Sequence, residues 1–328
     1  SMNFLSISSH VVHGYVGNKA ISMAIQFKPN VENIDILNTV QLNTHPKYLL
    51  NEKYAEIAVT NYDPESLMNE VLEKSLLGFL EMDYNCIILS YFNSAKGIDY
   101  LTEVLLKKKG KNTKIILDPI MGDNGRIYCN PMIVDSYKKL ISNLDIDCIL
   151  PNQFELELLV NDEFDSEKIK DDKYFISLIE KFHLMYPRVK NLIVTSVMID
   201  NKIPYILISL TLQPNRIRKI NLERFYLKDT IVYGCGDLFT GLIAYEYTKN
   251  MDQQENDMEI IDIFKIVLSV VRDLKIVIDR SISSRIKVDE LNYQLNDLNL
   301  IECIDDVLSK SGDDYDNDES YYEIEYLV

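Results

Sequence analysis

A chain of 328 residues with 47% apolar and 26% charged side chains has the make-up of a soluble globular protein, with material for a large core. Its 11 Gly and 9 Pro exclude collagen-like and Pro/Gly-rich low-complexity architectures. The 34 Lys and Arg against 51 Asp and Glu leave a net charge of −17. That field argues against nucleic acid or an anionic membrane as partner, yet leaves room for a phosphate-bearing small molecule held by local backbone N–H groups.

Taken in chain order, short β-branched runs alternate with stretches of helical spacing. Strands are expected at Asn3–Ile7 and Ile34–Asn38, then a helix over Glu65–Leu80. Strand Cys86–Ser90 precedes a helix over Gly97–Lys109, whose closing Lys107, Lys108 and Lys109 before Gly110 read as a helix stop. Strand Lys114–Asp118, helix Met132–Asn143, strand Asp147–Leu150 and helix Asp172–Met185 follow, then strands Leu192–Thr195 and Tyr205–Leu210. The stretch Ile260–Ile278 carries an apolar face but is interrupted by Asp262, Lys265, Arg272, Asp273 and Lys275, so it reads as an amphipathic helix and not a membrane span. This alternation points to an α/β class, a doubly wound and mostly parallel central sheet with helices on both faces. One domain over 1–328 is expected, with an acidic and mobile segment around 312–320 and a return to strand propensity from Tyr321 to Val328.

The five cysteines, Cys86, Cys129, Cys148, Cys235 and Cys303, form no C-x-x-C pair, and reduced thiols in a cytoplasmic protein are expected. The N-terminus lacks a basic segment followed by a long apolar one, so no signal peptide is read. His10 and His13 lack further zinc ligands around them and read as packing or pocket residues.

Neither a P-loop nor a Rossmann fingerprint is present. What remains is Gly234-Cys235-Gly236-Asp237 opening an apolar helix. Small residues at a helix N-terminus let N–H groups converge on an anion, and Asp237 is placed to take a proton from a hydroxyl attacking phosphorus. By itself the tetrapeptide is equally a turn with a helix cap. Two strand ends add weight: Asp118-Pro119-Ile120-Met121-Gly122-Asp123 and Pro151-Asn152-Gln153-Phe154-Glu155. Ligands in open α/β sheets bind at such ends, and Asp118, Asp123 and Glu155 offer oxygens to Mg²⁺ or another divalent cation. Phosphoryl transfer is the chemistry these three segments suit.

The run Ser6-Ile7-Ser8-Ser9-His10-Val11-Val12-His13-Gly14-Tyr15-Val16-Gly17-Asn18-Lys19, followed by Asn38-Thr39-Val40-Gln41, resembles the opening of the pyridoxal kinases. The Asp118-Pro119, Gly122-Asp123, Pro151–Glu155, Val194-Thr195-Ser196 and Gly234-x-Gly236-Asp237 segments follow in that family's order. The resemblance implies a ribokinase-like fold and ATP-dependent phosphorylation of the 5′-hydroxyl of pyridoxal, with Asp237 as base. Gly234, Cys235 and Gly236 would form the anion hole. Asn152, Glu155, Thr195, Ser196, Tyr128, Lys228, Asp229 and Thr230 would meet the nucleotide. Ser9, Val16, Val40, His45, Pro46 and Tyr91 would line the vitamer. Asp118, Asp123, Glu155 and Thr195 would lie at the metal, with a monovalent cation such as K⁺ beside Asp118 and Thr195. A cytoplasmic homodimer is the expected assembly.

The chain also departs from the family pattern. Asn43-Thr44-His45-Pro46-Lys47-Tyr48 stands where Ser-Asn-His-Thr-Gly-Tyr is common, so Pro46 removes a hydroxyl and an N–H donor. Cys235 replaces a Thr, and Leu150 replaces a Thr near the monovalent ion. These changes keep two alternatives open: a kinase for hydroxymethylpyrimidine, and a catalytically weak sensor of B6 vitamers.

Overall fold

Apolar runs too short for a helix become the buried strands of an α/β fold. The computed structural model describes residues 1–46, 57–128, 130–161, 168–200, 203–223, 230–231, 233–253, 262–282, 285–287, 293–295, 297–312 and 324–326. Its strands are β1 Met2–Val11, β2 Val31–Leu42, β3 Val59–Asn61, β4 Cys86–Leu89, β5 Lys114–Leu117, β6 Gly122–Asp123, β7 Arg126–Ile127 and β8 Ile146–Ile149. They continue as β9 Val189–Ile199, β10 Ile203–Leu210, β11 Gln213–Asn221, β12 Thr230–Ile231, β13 Arg285–Lys287, β14 Tyr293–Leu295 and β15 Ile324–Tyr326. The helices are α1 Asn18–Ile25, α2 Ala95–Lys108, α3 Met132–Asn143, α4 Gln153–Asn161, α5 Asp172–Met185, α6 Cys235–Asp252 and α7 Ile263–Ser281.

Two compact units emerge. The first comprises Ser1–Tyr62, Tyr84–Ile88 and Leu227–Asn317; the second comprises Asp63–Asp83, Leu89–Tyr226 and Asp318–Val328. In the first unit the strand order is β4-β1-β2-β3, with β1 parallel to β2 and β3 antiparallel to β2. Phe4, Leu5 and Ile7 of β1 are fully buried, as a strand covered on both faces requires. In the second unit the order is β15-β11-β10-β9-β8-β5. There β5, β8 and β9 run parallel, and β10, β11 and β15 extend the sheet antiparallel. The sheet is therefore mixed, with a parallel core.

Each of the seven expected inner strands is present. Helix starts follow side-chain chemistry: Ser94 Oγ accepts the Gly97 N–H at 3.2 Å, Asp171 Oδ1 that of Tyr174 at 2.9 Å, and Asp262 Oδ1 that of Lys265 at 3.2 Å. In α3 the buried set Ile133, Tyr137, Leu140 and Ile141 is a helical face. Two local stretches differ from expectation. The stretch expected as a helix over Glu65–Leu80 is helical over Ser66–Phe79 but wound as a wider π-helix, in which Met68 and Leu72 are the buried residues. Helix α2 ends at Lys108 as expected, without a left-handed Gly110; Lys109 leaves it in extended backbone while its ammonium donates to the carbonyls of Gly110 and Thr113. Strand β11 was not expected, because Arg216, Arg218 and Lys219 interrupt its apolar residues. The expected C-terminal strand forms as β15, which pairs with Arg218, Lys219 and Ile220 of β11.

Helix α6 is buried along most of its length, which forces a solution for its polar residues. Glu246 and Lys249 are 4% and 5% exposed and lie 2.9 Å apart. Glu246 Oε1 also accepts the Gly312 N–H at 2.7 Å, and the Lys249 ammonium donates to Ser311. Removing one member of such a pair strands a buried charge. Lys249→Met is expected to cost about 3–5 kcal/mol in urea unfolding, and adding Glu246→Leu should recover most of that loss. Equal losses in the single and the double variant would show that the pair itself is not what Lys249 supports.

Candidate active site

In the first unit, three chain segments converge on one carboxylate. Gly17 begins α1 with φ 56° and ψ −137°, a conformation open only to glycine. A Cβ there would stand 2.4 Å from the Ser9 carbonyl oxygen, so the end of β1 and the start of α1 touch backbone to backbone. The Gly17 N–H donates to Asp237 Oδ2 at 2.8 Å. Gly234 supplies the turn before α6 at φ 88°, and its Cα faces the Tyr15 carbonyl so closely that a Cβ would fall within 2.5 Å. By contrast a Cβ on Gly236 would meet nothing within 4 Å, so the first turn of α6 opens onto free space at that residue.

Electrostatics at this turn are set by competing effects. Burial raises the Asp237 carboxyl to about 6, and the Gly17 N–H pulls partly the other way. The result is a carboxylate ionised at neutral pH yet far more basic than an exposed aspartate. Burial and the neighbouring Asp237 push the Cys235 thiol up to about 12, so it stays protonated and is not a nucleophile. An 18-residue helix directs its orphan N–H groups and dipole toward this turn, which is suited to developing negative charge.

In the second unit, the expected pair Asn152 and Glu155 forms a reciprocal cap on α4. Asn152 Oδ1 accepts the Glu155 N–H at 2.8 Å, and Glu155 Oε1 accepts the Asn152 N–H at 2.9 Å. The cap reaches into the hairpin β6–β7. Glu155 Oε2 accepts the N–H of Met121 at 2.7 Å and of Gly122 at 3.4 Å, while Asn152 Nδ2 donates to the Gly122 carbonyl at 2.8 Å. Burial lifts the Glu155 carboxyl to about 7 against these backbone donors. Both of its oxygens are thus engaged by backbone. Asp118 is buried just beyond β5, and Asp123 is exposed on β6. Among the described residues no three His, Cys, Asp or Glu side chains gather into a metal cage. The carboxylate oxygens of Asp118 and Asp123 are of the hard type that Mg²⁺ takes, one or two at a time, together with phosphate oxygens and water.

The remaining expected residues divide between the units. Ser9, Val16, Val40, His45 and Pro46 belong to the first; Val16 and Val40 are buried, and Pro46 is exposed. Tyr91, Tyr128, Thr195 and Ser196 belong to the second, where Tyr128 is exposed and its N–H donates to the Met121 carbonyl. Ser196 sits at a bulge: Val197 and Thr195 face the consecutive Tyr205 and Ile206, which leaves Ser196 exposed and without a register partner. Thr230 starts β12, while Lys228, Asp229 and Lys47 lie outside the described residues, as does most of the acidic segment around 312–320. Leu150 is buried, and its N–H donates to Leu117.

Sequence reasoning missed three participants. Gly17 acts through its backbone N–H, which no residue-type pattern reveals. Asn18 is a buried hub: its amide donates to Ser8, Leu37 and Asn38, and it accepts from Ser6 Oγ at 2.7 Å. Its place directly after Gly17 at a helix start was the available signal. Tyr233, next to Gly234, packs against His45 with ring centroids 4.5 Å apart and planes tilted by 50°.

No family model matches the chain. A Saccharomyces cerevisiae relative, BUD17, is 37% identical over 194 residues, covering 58% of this chain and 57% of its own length, so the match spans little more than half of that protein. The structure of Plasmodium falciparum PdxK with AMP-PNP and PL superimposes over 100% of both chains at TM-score 0.72 and 23% identity, a likeness of fold. The pyridoxal kinase of Dictyostelium discoideum is 31% identical over 251 residues, covering 73% of this chain and 76% of that one. With its ordered motifs, its α/β fold and that relative, this chain belongs to the pyridoxal kinase family.

Proposed function

We propose that this chain is an ATP-dependent B6-vitamer kinase that phosphorylates the 5′-hydroxyl of pyridoxal. The observation that carries this reading is Asp237 at the first turn of α6, held by the Gly17 N–H with its carboxyl raised to about 6. Asp237 Oδ2 is fixed by that bond. The carboxylate accepts the hydroxyl proton as the substrate oxygen attacks the γ-phosphorus. The N–H groups of Gly234, Cys235 and Gly236, with the α6 dipole, stabilise charge accumulating on the transferred group. Cys235 contributes its N–H, since its thiol is a weak donor. Asp118 and Asp123 would hold Mg²⁺, which would neutralise donor phosphate charge, with Thr195 nearby and Glu155 supporting through the α4 cap. Asn152, Ser196, Tyr128, Lys228, Asp229 and Thr230 belong to the nucleotide side of the reading. Ser9, Val16, Val40, His45, Pro46 and Tyr91 belong to the vitamer side, and a K⁺-type ion beside Asp118 completes it.

The test is formation of pyridoxal 5′-phosphate from pyridoxal and Mg·ATP, followed by absorbance, with K⁺ and Na⁺ compared. ADP release with a hydroxymethylpyrimidine but not with pyridoxal would move the assignment to a sister kinase. Tight vitamer binding with no ATP consumption would make the chain a sensor. One ribokinase-like kinase domain made of both units and a cytoplasmic homodimer are part of the proposal, and light scattering showing a monomer at working concentration would remove the dimer. Among the described residues no helix is long and apolar enough to cross a membrane.

The raised Asp237 carboxyl sets the acidic limb of the pH profile. Only the ionised form accepts a proton, so kcat/KM is expected to climb with pH through about 6 and to sit at about a tenth of its plateau at pH 5. A limb centred near 4 would mean that Asp237 is not the titrating base.

A further inference from the structure

The proposed donor site contains an electrostatic gap. Its assigned residues in the second unit include three carboxylates, Asp118, Asp123 and Glu155, with Asn152, Thr195, Ser196 and Tyr128, and no cation. The overall charge of −17 makes the surrounding field unfavourable to a triphosphate. A helix N-terminus is the usual remedy, but at α4 the Glu155 carboxylate lies beside that end, on the N–H groups of Asn152, Met121 and Gly122, and the Glu155 N–H is taken by Asn152 Oδ1. Beyond the Mg²⁺ and Lys228 of the reading above, a cation of this unit would add to the attraction for donor phosphates.

The β6–β7 hairpin carries one cation, Arg126. Asn124 and Gly125 form its two-residue turn, with φ 45° and 81°, the left-handed pair of a tight hairpin. Asp123 and Arg126 are register partners across it. Directly opposed residues project to the same face of a two-stranded ribbon, which sets an acidic and a basic side chain next to each other. Both are exposed. Their base is rigid: a Cβ on Gly122 would lie 2.0 Å from the Arg126 carbonyl oxygen, and Gly122 is held on both its N–H and C=O sides by the α4 cap. The hairpin thus presents a metal-type ligand and a guanidinium side by side from one anchored platform.

We infer that Arg126 is a phosphate-binding residue that engages the outer phosphates of the nucleotide while Asp123 faces the metal. The inference rests on the kinase reading above. A planar guanidinium suits phosphate oxygens, to which it donates two parallel hydrogen bonds. The alternative is a surface ion pair between Arg126 and Asp123 that stabilises the hairpin alone, worth little to binding.

The test is calorimetric titration of Arg126→Gln and Arg126→Lys with ATP, ADP and AMP, in Mg²⁺ and again in EDTA, alongside steady-state kinetics. Arg126→Gln should weaken ATP and ADP by about tenfold or more and leave AMP unchanged, a contrast that persists in EDTA. KM for pyridoxal should not move, and Arg126→Lys should restore part of the ATP affinity. Equal loss for all three nucleotides, or unchanged ATP affinity in a folded variant, would overturn the assignment. If wild-type protein turned pyridoxal over and Arg126→Gln matched it in every titration, only Arg126 would lose its role; a wild-type protein that failed to phosphorylate any vitamer would instead remove the kinase reading.

Discussion

Asp237→Asn should lower kcat by about 10²–10⁴ and leave the protein more stable, not less, above pH 7. The first half follows from losing the only group proposed to accept the hydroxyl proton. The second follows from linkage. The folded carboxyl sits near 6 against an ordinary 3.8, so the folded state holds its proton more tightly than the unfolded chain does. Its contribution is fully present below about 4 and is lost as pH rises through 6. Above that, the buried charge opposes folding by up to about 3 kcal/mol, a ceiling set by how far burial has raised the carboxyl. Asparagine stays neutral and still accepts the Gly17 N–H. Urea unfolding at pH 8 and pH 4.5 checks this: the variant should be the more stable at pH 8, with only about a third of that margin left at pH 4.5. Wild-type turnover by the variant would discard Asp237 as base, and a variant less stable at pH 8 would discard burial as the cause of its raised carboxyl.

The second large effect is expected at Glu155. Its two oxygens receive N–H groups from Asn152, Met121 and Gly122, and glutamine offers one oxygen and turns an NH₂ toward the rest. Glu155→Gln should cost about 2–4 kcal/mol, from one or two buried N–H groups left without an acceptor. Amide exchange at Met121 and Asn152 should accelerate together, since one carboxylate protects both. KM for ATP should rise more than KM for pyridoxal, because the loosened hairpin carries Asp123. Protected Met121 and Asn152 amides in a variant of unchanged stability would show that the cap does not depend on the carboxylate.

The sequence was most readable where one physical cause dominates. Continuous apolar runs such as Cys86–Leu89 and residues 115–117 had nowhere to go but a sheet interior, and the Gly-x-Gly-Asp turn had to open a helix. Reading failed where several causes balance. Strand β11 alternates poorly because basic residues occupy it, so its identity depends on β10 and β15 at either side. The π-wound helix Ser66–Phe79 has helical spacing but few buried anchors. At the site, residue types announced Asp237, Asn152 and Glu155, whereas the contact that fixes Asp237 comes from a backbone N–H 220 residues away in sequence. Glu155 was expected at a metal, and what residue type did not announce is that both its oxygens accept backbone N–H groups.

Strand β15 carries a consequence for synthesis. The residues that cover the outer edge of β11 lie at Ile324–Tyr326, about a hundred residues after β11 ends at Asn221. At a translation rate of about 5–20 residues per second, that edge waits roughly 5–20 s for its cover while β9 and β10 are already available to pair. An uncovered strand edge is a template for association between nascent chains. Of the basic residues that hide β11 from pattern reading, Lys219 is buried against Asp172, while Arg216 and Arg218 place like charges on that waiting strand, so two unfinished chains on one polysome repel where they would otherwise join.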